Sequence, residues 1–207
     1  MLKIYGYRAS INVRKVLWLC AELGLAYEQE DWGTSSRPTS SPDFRKLNPV
    51  GMVPVVDDNG VILWESNTIL RYLASSRGCA ALLPTSAGPR AQIEKWMDWQ
   101  ASDFNNTWRV AFQALVCCNP AYQDRAAIAQ SMASFNDAVR VIDAELVRTG
   151  GYISGDEFTL ADIPIGLSIH RWVSMPIDKP VLSNVNDYYD RLCCRSGFRE
   201  FGRGGGP

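Results

Sequence analysis

Glu65 and Ser66 fall where an alternating apolar segment, VPVVDDNGVILW, gives way to a helical one, SNTILRYLASS. A helix start offers unpaired N–H groups and a partial positive charge, so it attracts a carboxylate. Ser66 adds a hydroxyl there, and Glu65 adds an acceptor for an ammonium group. Taken alone, Ser66 reads more readily as an ordinary N-cap. Val53-Pro54 is the second candidate. Proline cannot donate to a strand ladder, so it is confined to a strand's first residue or an edge. The third is Ser10 with Asn12, in the segment RASIN. A serine hydroxyl is a poor base near neutral pH, so Ser10 suits hydrogen-bond donation; as turn formers or caps, both residues would need no chemistry.

The elements that must hold these groups follow from periodicity. KIYGY (3–7) reads as a strand, NVRKVLWLCAEL as a helix capped by Asn12 and ended by Gly24, and AYEQEDW (26–32) as a second strand. A strand-helix-strand unit implies a parallel pair. A turn-rich loop with one short helix near DFRKLNP comes next, then VPVV and VILW flanking Asn59-Gly60, which favours a tight hairpin. A third helix runs from Ser66 to Ser76. From Arg90 onward only helices are expected. Residues 93–116 form one long helix kinked near Asn105-Asn106, and Ile128, Met132, Phe135, Val139, Ile142 and Leu146 make an apolar stripe closed at Gly150. Thr159 and Asp162 have the spacing of a capping box before a helix apolar on most faces. The last helix spans 185–195. This divides the chain into an α/β domain (1–77), a linker (78–88), an all-helical domain (89–201) and a Gly-rich tail (202–207) expected to be disordered.

Composition removes several alternatives. Of 207 residues, 46% are hydrophobic and 21% charged, the balance of a packed globular protein. The net charge of -1 and scattered Lys and Arg argue against nucleic acid or an anionic membrane as partner. No window has the roughly 18 apolar residues of a membrane span and no secretory leader is evident, so a cytoplasmic protein is expected. The six cysteines lack a Cys-x-x-Cys motif and are expected as free thiols, with Cys117-Cys118 and Cys193-Cys194 behaving as small buried hydrophobes. A single histidine, His170, weakens metal and triad readings, and no metal site is expected.

The segments IYGYRASINVRKVLWLCAELGLAYE, LNPVGMVPVVDDNGVILWESNTILRYLA, SGDEFTLADI and YYDRLCCR, in that order and spacing, resemble the cytosolic glutathione transferases over nearly the whole chain. The N-terminal pattern is most similar to bacterial theta-like members with Ser after the first strand. The resemblance implies a thioredoxin-like domain (βαβ-α-ββα) followed by an all-helical domain, with glutathione as cosubstrate and no metal. It implies that Val53, before a cis Pro54, bonds glutathione's cysteinyl backbone, and that Ser66 and Glu65 read the γ-glutamyl carboxylate and ammonium. Ser10, assisted by Asn12, would hydrogen-bond the sulfur and favour the thiolate. Arg37 or Lys46 would meet the glycyl carboxylate. Tyr7, Trp108, Phe112 and Trp172 are candidates for a small hydrophobic electrophile's pocket, with ordinary core packing as their alternative. Relatives are two-fold dimers, and Asp103 would reach a neighbour's site in a homodimer. The expected reaction is conjugation of glutathione thiolate to an electrophile. A glutathione-dependent disulfide reductase without a protein thiol and a non-catalytic binding module remain the alternatives.

Overall fold

The computed structural model describes residues 1–206. Four strands, β1 (Leu2–Tyr5), β2 (Tyr27–Glu30), β3 (Val55–Asp58) and β4 (Val61–Trp64), form one sheet in the order β2-β1-β3-β4. β1 and β2 are parallel, as the crossover through α1 (Ile11–Leu23) requires, whereas β3 runs antiparallel to both β1 and β4. Asn59 and Gly60 turn the β3-β4 hairpin with φ of 55° and 96°, the two positive values that the Asn-Gly pair tolerates. The short α2 (Pro42–Leu47) is capped by Ser41, and α3 (Ser66–Ser76) packs back onto α1. This is the expected thioredoxin-like arrangement.

The rest of the chain is helical. α4 (Ala87–Trp99) runs into a wider π turn over Gln100–Phe104, a short α5 (Asn105–Thr107), and, past Trp108, α6 (Arg109–Leu115). The single kinked helix expected over 93–116 is therefore interrupted twice. α7 (Arg125–Thr149) ends where Gly150 takes φ 78° and returns its N–H to the Leu146 carbonyl. α8 (Asp162–Ser174) lies at the centre, and α9 (Ser183–Cys193) packs on α7 and α8.

Sheet domain and helical part share one core. Trp18 of α1 is fully buried, 5.8 Å from Phe158 and 5.0 Å from Phe198 between ring centroids. Gly197 allows that approach, because any Cβ there would collide with the Trp18 ring. Asp162 anchors α8 with a fully buried carboxylate. Its Oδ2 accepts from the Thr159 N–H (2.7 Å) and hydroxyl (3.1 Å), and its Oδ1 from the Ile153 N–H and Tyr188 hydroxyl (3.0 Å each). The Thr hydroxyl thus donates to the Asp rather than accepting from the helix. Burial pushes the Asp162 carboxyl up to about 6 against the pull of those four donors.

Three sequence expectations fail. Asn12 does not cap α1: Ser10 holds the N-cap position, and Asn12 is the helix's second residue. The cysteines are free, yet only Cys20 is buried; Cys117, Cys118 and Cys194 are exposed because α6 and α9 end before or at the pairs. The tail is not disordered up to Gly206. Phe198–Gly202 form a wide π turn and Arg203–Gly205 a tight 3-10 turn, and the buried Arg14 guanidinium donates to the carbonyls of Gly202 (3.2 Å) and Gly206 (2.8 Å).

Candidate active site

The turn from β1 into α1, the loop entering β3 and the start of α3 converge on one pocket lined by Asn12, Asn48, Met52, Val53, Pro54, Glu65 and Ser66. Five of these residues were legible in the sequence. The Val53–Pro54 peptide is cis. Among the described residues the N–H and C=O of Val53 have no protein partner, so both remain available at the pocket wall. Asn48 braces this loop, donating from Nδ2 to the Met52 carbonyl (2.8 Å) and accepting from the Val50 N–H (2.9 Å).

Glu65 is held at φ 70° and ψ 107°, a conformation costly for any residue with a Cβ. Its side chain is exposed and makes no capping bond, so local structure does not account for the choice of Glu. Ser66 begins α3 with its hydroxyl 3.4 Å from Asn12 Oδ1. Behind it lies Lys15, whose Nζ donates to Ser66 Oγ (3.3 Å), Asn67 Oδ1 (3.3 Å) and Gln100 Oε1 (2.9 Å). Burial drives this ammonium down to about 7, partly offset by the charge of Glu65. Gln100 opens the π turn and passes the chain of bonds to Ser168 of α8 at 3.0 Å. Asn67 donates to the Met97 carbonyl, so it faces α1 and α4 together. The pocket floor is thus a polar network joining sheet domain and helical part.

Ser10 stands one residue before α1, half-buried, with its hydroxyl unspent on the helix it precedes. Its carbonyl accepts from the Arg14 N–H, the first bond of α1, so the amides before Arg14 have no partner within the helix. Trp108 and Phe112 pack against Arg171 of α8, whose guanidinium lies 4.2 Å from the Trp108 ring centre and 4.0 Å from that of Phe112; Trp108 is itself buried, and Tyr7 follows β1 with no ring contact to either among the described residues. Trp172 turns the other way. It is 3% exposed and donates from Nε1 to Asn136 of α7, which makes it a core residue. Arg37 pairs with Glu30 at 2.7 Å and Lys46 with Asp43 at 2.8 Å; neither lines the pocket. Asp103 is exposed on the π turn. Sequence reading missed Asn48, Met52, Lys15, Gln100 and Arg171. A signal existed for two of them, since Lys15 and Arg171 interrupt helices otherwise apolar on most faces.

Comparison with known proteins identifies the family. The family model for the glutathione S-transferase N-terminal domain matches residues 1–75. Glutathione S-transferase GstB of Escherichia coli strain K12 is 36% identical over 202 residues, covering 97% of this chain and 97% of that protein. The chain belongs to the glutathione S-transferase family. Glutathione S-transferase 3 of Zea mays is 35% identical over 167 residues, 78% of this transferase and 73% of the maize protein. Among solved structures, the theta class glutathione S-transferase of Xanthomonas axonopodis pv. citri with glutathione bound superposes with a TM-score of 0.90 at 37% identity, covering 97% of this chain and 96% of that one. Among the described residues of the transferase, no helix is long and apolar enough to cross a membrane.

Proposed function

We propose that this transferase lays glutathione along the groove between Val53 and Glu65-Ser66 and delivers its thiolate to small hydrophobic electrophiles. The observation that carries the reading is Glu65 held at φ 70° immediately before a helix start, a costly placement with no local structural return. There its carboxylate meets the γ-glutamyl ammonium, while Ser66 and the α3 amides meet the neighbouring carboxylate. Val53, beside Pro54, offers one donor and one acceptor to the cysteinyl backbone. The sulfur then falls toward Ser10, whose free hydroxyl donates to it, with the Asn12 amide and the α1 amides adding to the favourable field. A thiol that titrates near about 8.5 in water is held lower in this position. Conjugation forms one sulfur–carbon bond and breaks the bond to the leaving group, which departs with its electron pair. The thiol proton goes to solvent.

Tyr7, Trp108 and Phe112 form the wall for the electrophile, and Trp172 supports that wall from the core. Arg37 would serve the glycyl carboxylate only by exchanging Glu30 for it. We place the molecule in the theta-like branch with serine after the first strand, divided at residues 1–77 and 89–201, cytoplasmic, and paired as a homodimer in which the exposed Asp103 reaches the neighbouring groove. The test is calorimetry with glutathione followed by parallel assays on an aryl halide and a small disulfide. Binding with aryl halide turnover is expected. Absence of binding sinks the reading, and selective disulfide turnover replaces it with a reductase.

A further inference from the structure

Three cations are buried where α1 meets the helical part: Arg14, Lys15 and Arg171, at 1%, 2% and 4% exposure. None is ion-paired among the described residues. Lys15 has three oxygen acceptors and Arg14 has two backbone carbonyls. Arg14 still has its Nε and Nη2 enclosed without partners, but Arg171 goes further. Its guanidinium donates to no atom of the described residues, and its Nε is enclosed without a partner. The Trp108 Nε1 beside it is enclosed and unpartnered as well.

Among the described residues no carboxylate pairs with Arg171. Arg14 repels the Arg171 guanidinium, Arg171 in turn repels Lys15, and the groups that favour its charge are the Cys117 thiol and the Tyr7 phenol rather than a carboxylate. Burial and Arg14 together hold it down at about 9, so it remains charged at neutral pH. A buried, unpaired charge is expensive unless something completes it. The Trp108 and Phe112 rings, inclined at 78° to one another, bracket the guanidinium carbon at 4.2 and 4.0 Å, and none of its N–H groups is spent on a protein acceptor among the described residues. A planar fork of donors backed by an aromatic surface is a receptor for a carboxylate.

We infer that the electrophile site accepts an anionic substrate: a soft electrophile whose flat apolar body carries a carboxylate, received by Arg171 with help from the Trp108 N–H. The inference rests on the function proposed above and deepens it, since Tyr7, Trp108 and Phe112 are the residues already assigned to that substrate. In the reaction the carboxylate is a spectator that orients the ring. The thiolate sulfur bonds to the ring carbon, the carbon–halogen bond breaks, and halide leaves with the electron pair.

The test compares para-chloro-meta-nitrobenzoate with the corresponding benzamide, each kcat/KM divided by the uncatalysed rate with glutathione. The wild-type protein is expected to prefer the benzoate by about 10-fold or more, the scale of a hydrogen bond to a charged group. Arg171→Met keeps the apolar stem over both rings and should abolish the preference, while Arg171→Lys should restore part of it. Equal normalised rates in the wild type, or a preference untouched in Arg171→Met, overturns the inference. If the Met variant does not fold, the wild-type ratio decides. If neither compound turns over, the proposed function is at fault, and the inference is judged separately. The halide-free meta-nitrobenzoate must then bind the wild-type protein more tightly than meta-nitrobenzamide by calorimetry, and equal binding refutes it.

Discussion

Replacing Glu65 should move stability and affinity in opposite directions. At φ 70° and ψ 107° the residue occupies backbone space that glycine tolerates better than any residue with a Cβ, for which such a placement costs on the order of 1–3 kcal/mol. Glu65→Gly removes that strain. It gives back roughly 0.4–1 kcal/mol through the looser unfolded chain, leaving a net stabilisation of about 1 kcal/mol. The exposed Glu65 side chain makes no capping bond, so little else is lost with it. For a chain of this length the gain corresponds to a rise in Tm of roughly 2–4 °C. Glutathione should bind about 10-fold or more weakly, because the carboxylate that pairs with the γ-glutamyl ammonium is gone. Glu65→Gln separates the two effects, since it keeps the strained backbone and loses only the charge: weaker binding with no gain in Tm. Thermal unfolding monitored by circular dichroism and calorimetry with glutathione read the two quantities. A Glu65→Gly protein that melts earlier, or glutathione affinity unchanged in both variants, would refute the reasoning.

Other consequences follow from the buried polar groups. Asp162→Asn turns one acceptor oxygen of a carboxylate surrounded by four donors into another donor, and urea unfolding should show a loss of about 2–4 kcal/mol. Lys15→Met leaves Asn67 Oδ1 and Gln100 Oε1 buried without donors, so a similar loss is expected together with weaker glutathione binding as Ser66 loosens. His170 is pushed down to about 4, first by burial and then by the charges of Arg14, Arg203 and Arg171. Its imidazole titrates near about 6.5 in the unfolded chain. A depressed folded value means that stability present above pH ~6.5 is lost as pH falls toward ~4, at up to about 1.4 kcal/mol per pH unit for one proton. Urea unfolding across that window should show His170→Gln flatter by that proton, and parallel curves would contradict the assignment.

The sheet domain was legible because its signals are local. Asn59-Gly60 names its own turn, Gly24 ends α1 with φ 62°, and Ser66–Ser76 appears as a helix at its expected ends. The groove was legible for the same reason: Val53, Pro54, Glu65 and Ser66 flank one hairpin. What escaped depends on contacts between distant segments. Lys15 meets Gln100 across 85 residues, and Arg171 meets Trp108 and Phe112 from a different helix, so no spacing rule connects them. The tail misled for a related reason. Its composition suggests disorder, but the buried Arg14 needs acceptors and takes them from the Gly202 and Gly206 carbonyls. Trp172 followed the helix pattern correctly and still faced the core, because α8 is buried on nearly all sides.

The central claim is that a hydroxyl with no structural duty, at Ser10, turns bound glutathione into a thiolate. Titrating the ultraviolet absorbance of the thiolate in the protein–glutathione complex measures this directly. The wild-type complex should titrate below the range near about 8.5 of a free thiol, and Ser10→Ala should bring it back toward that value while glutathione still binds. A bound thiol that titrates like free glutathione in the wild type, or one whose depression survives in Ser10→Ala, would contradict the account.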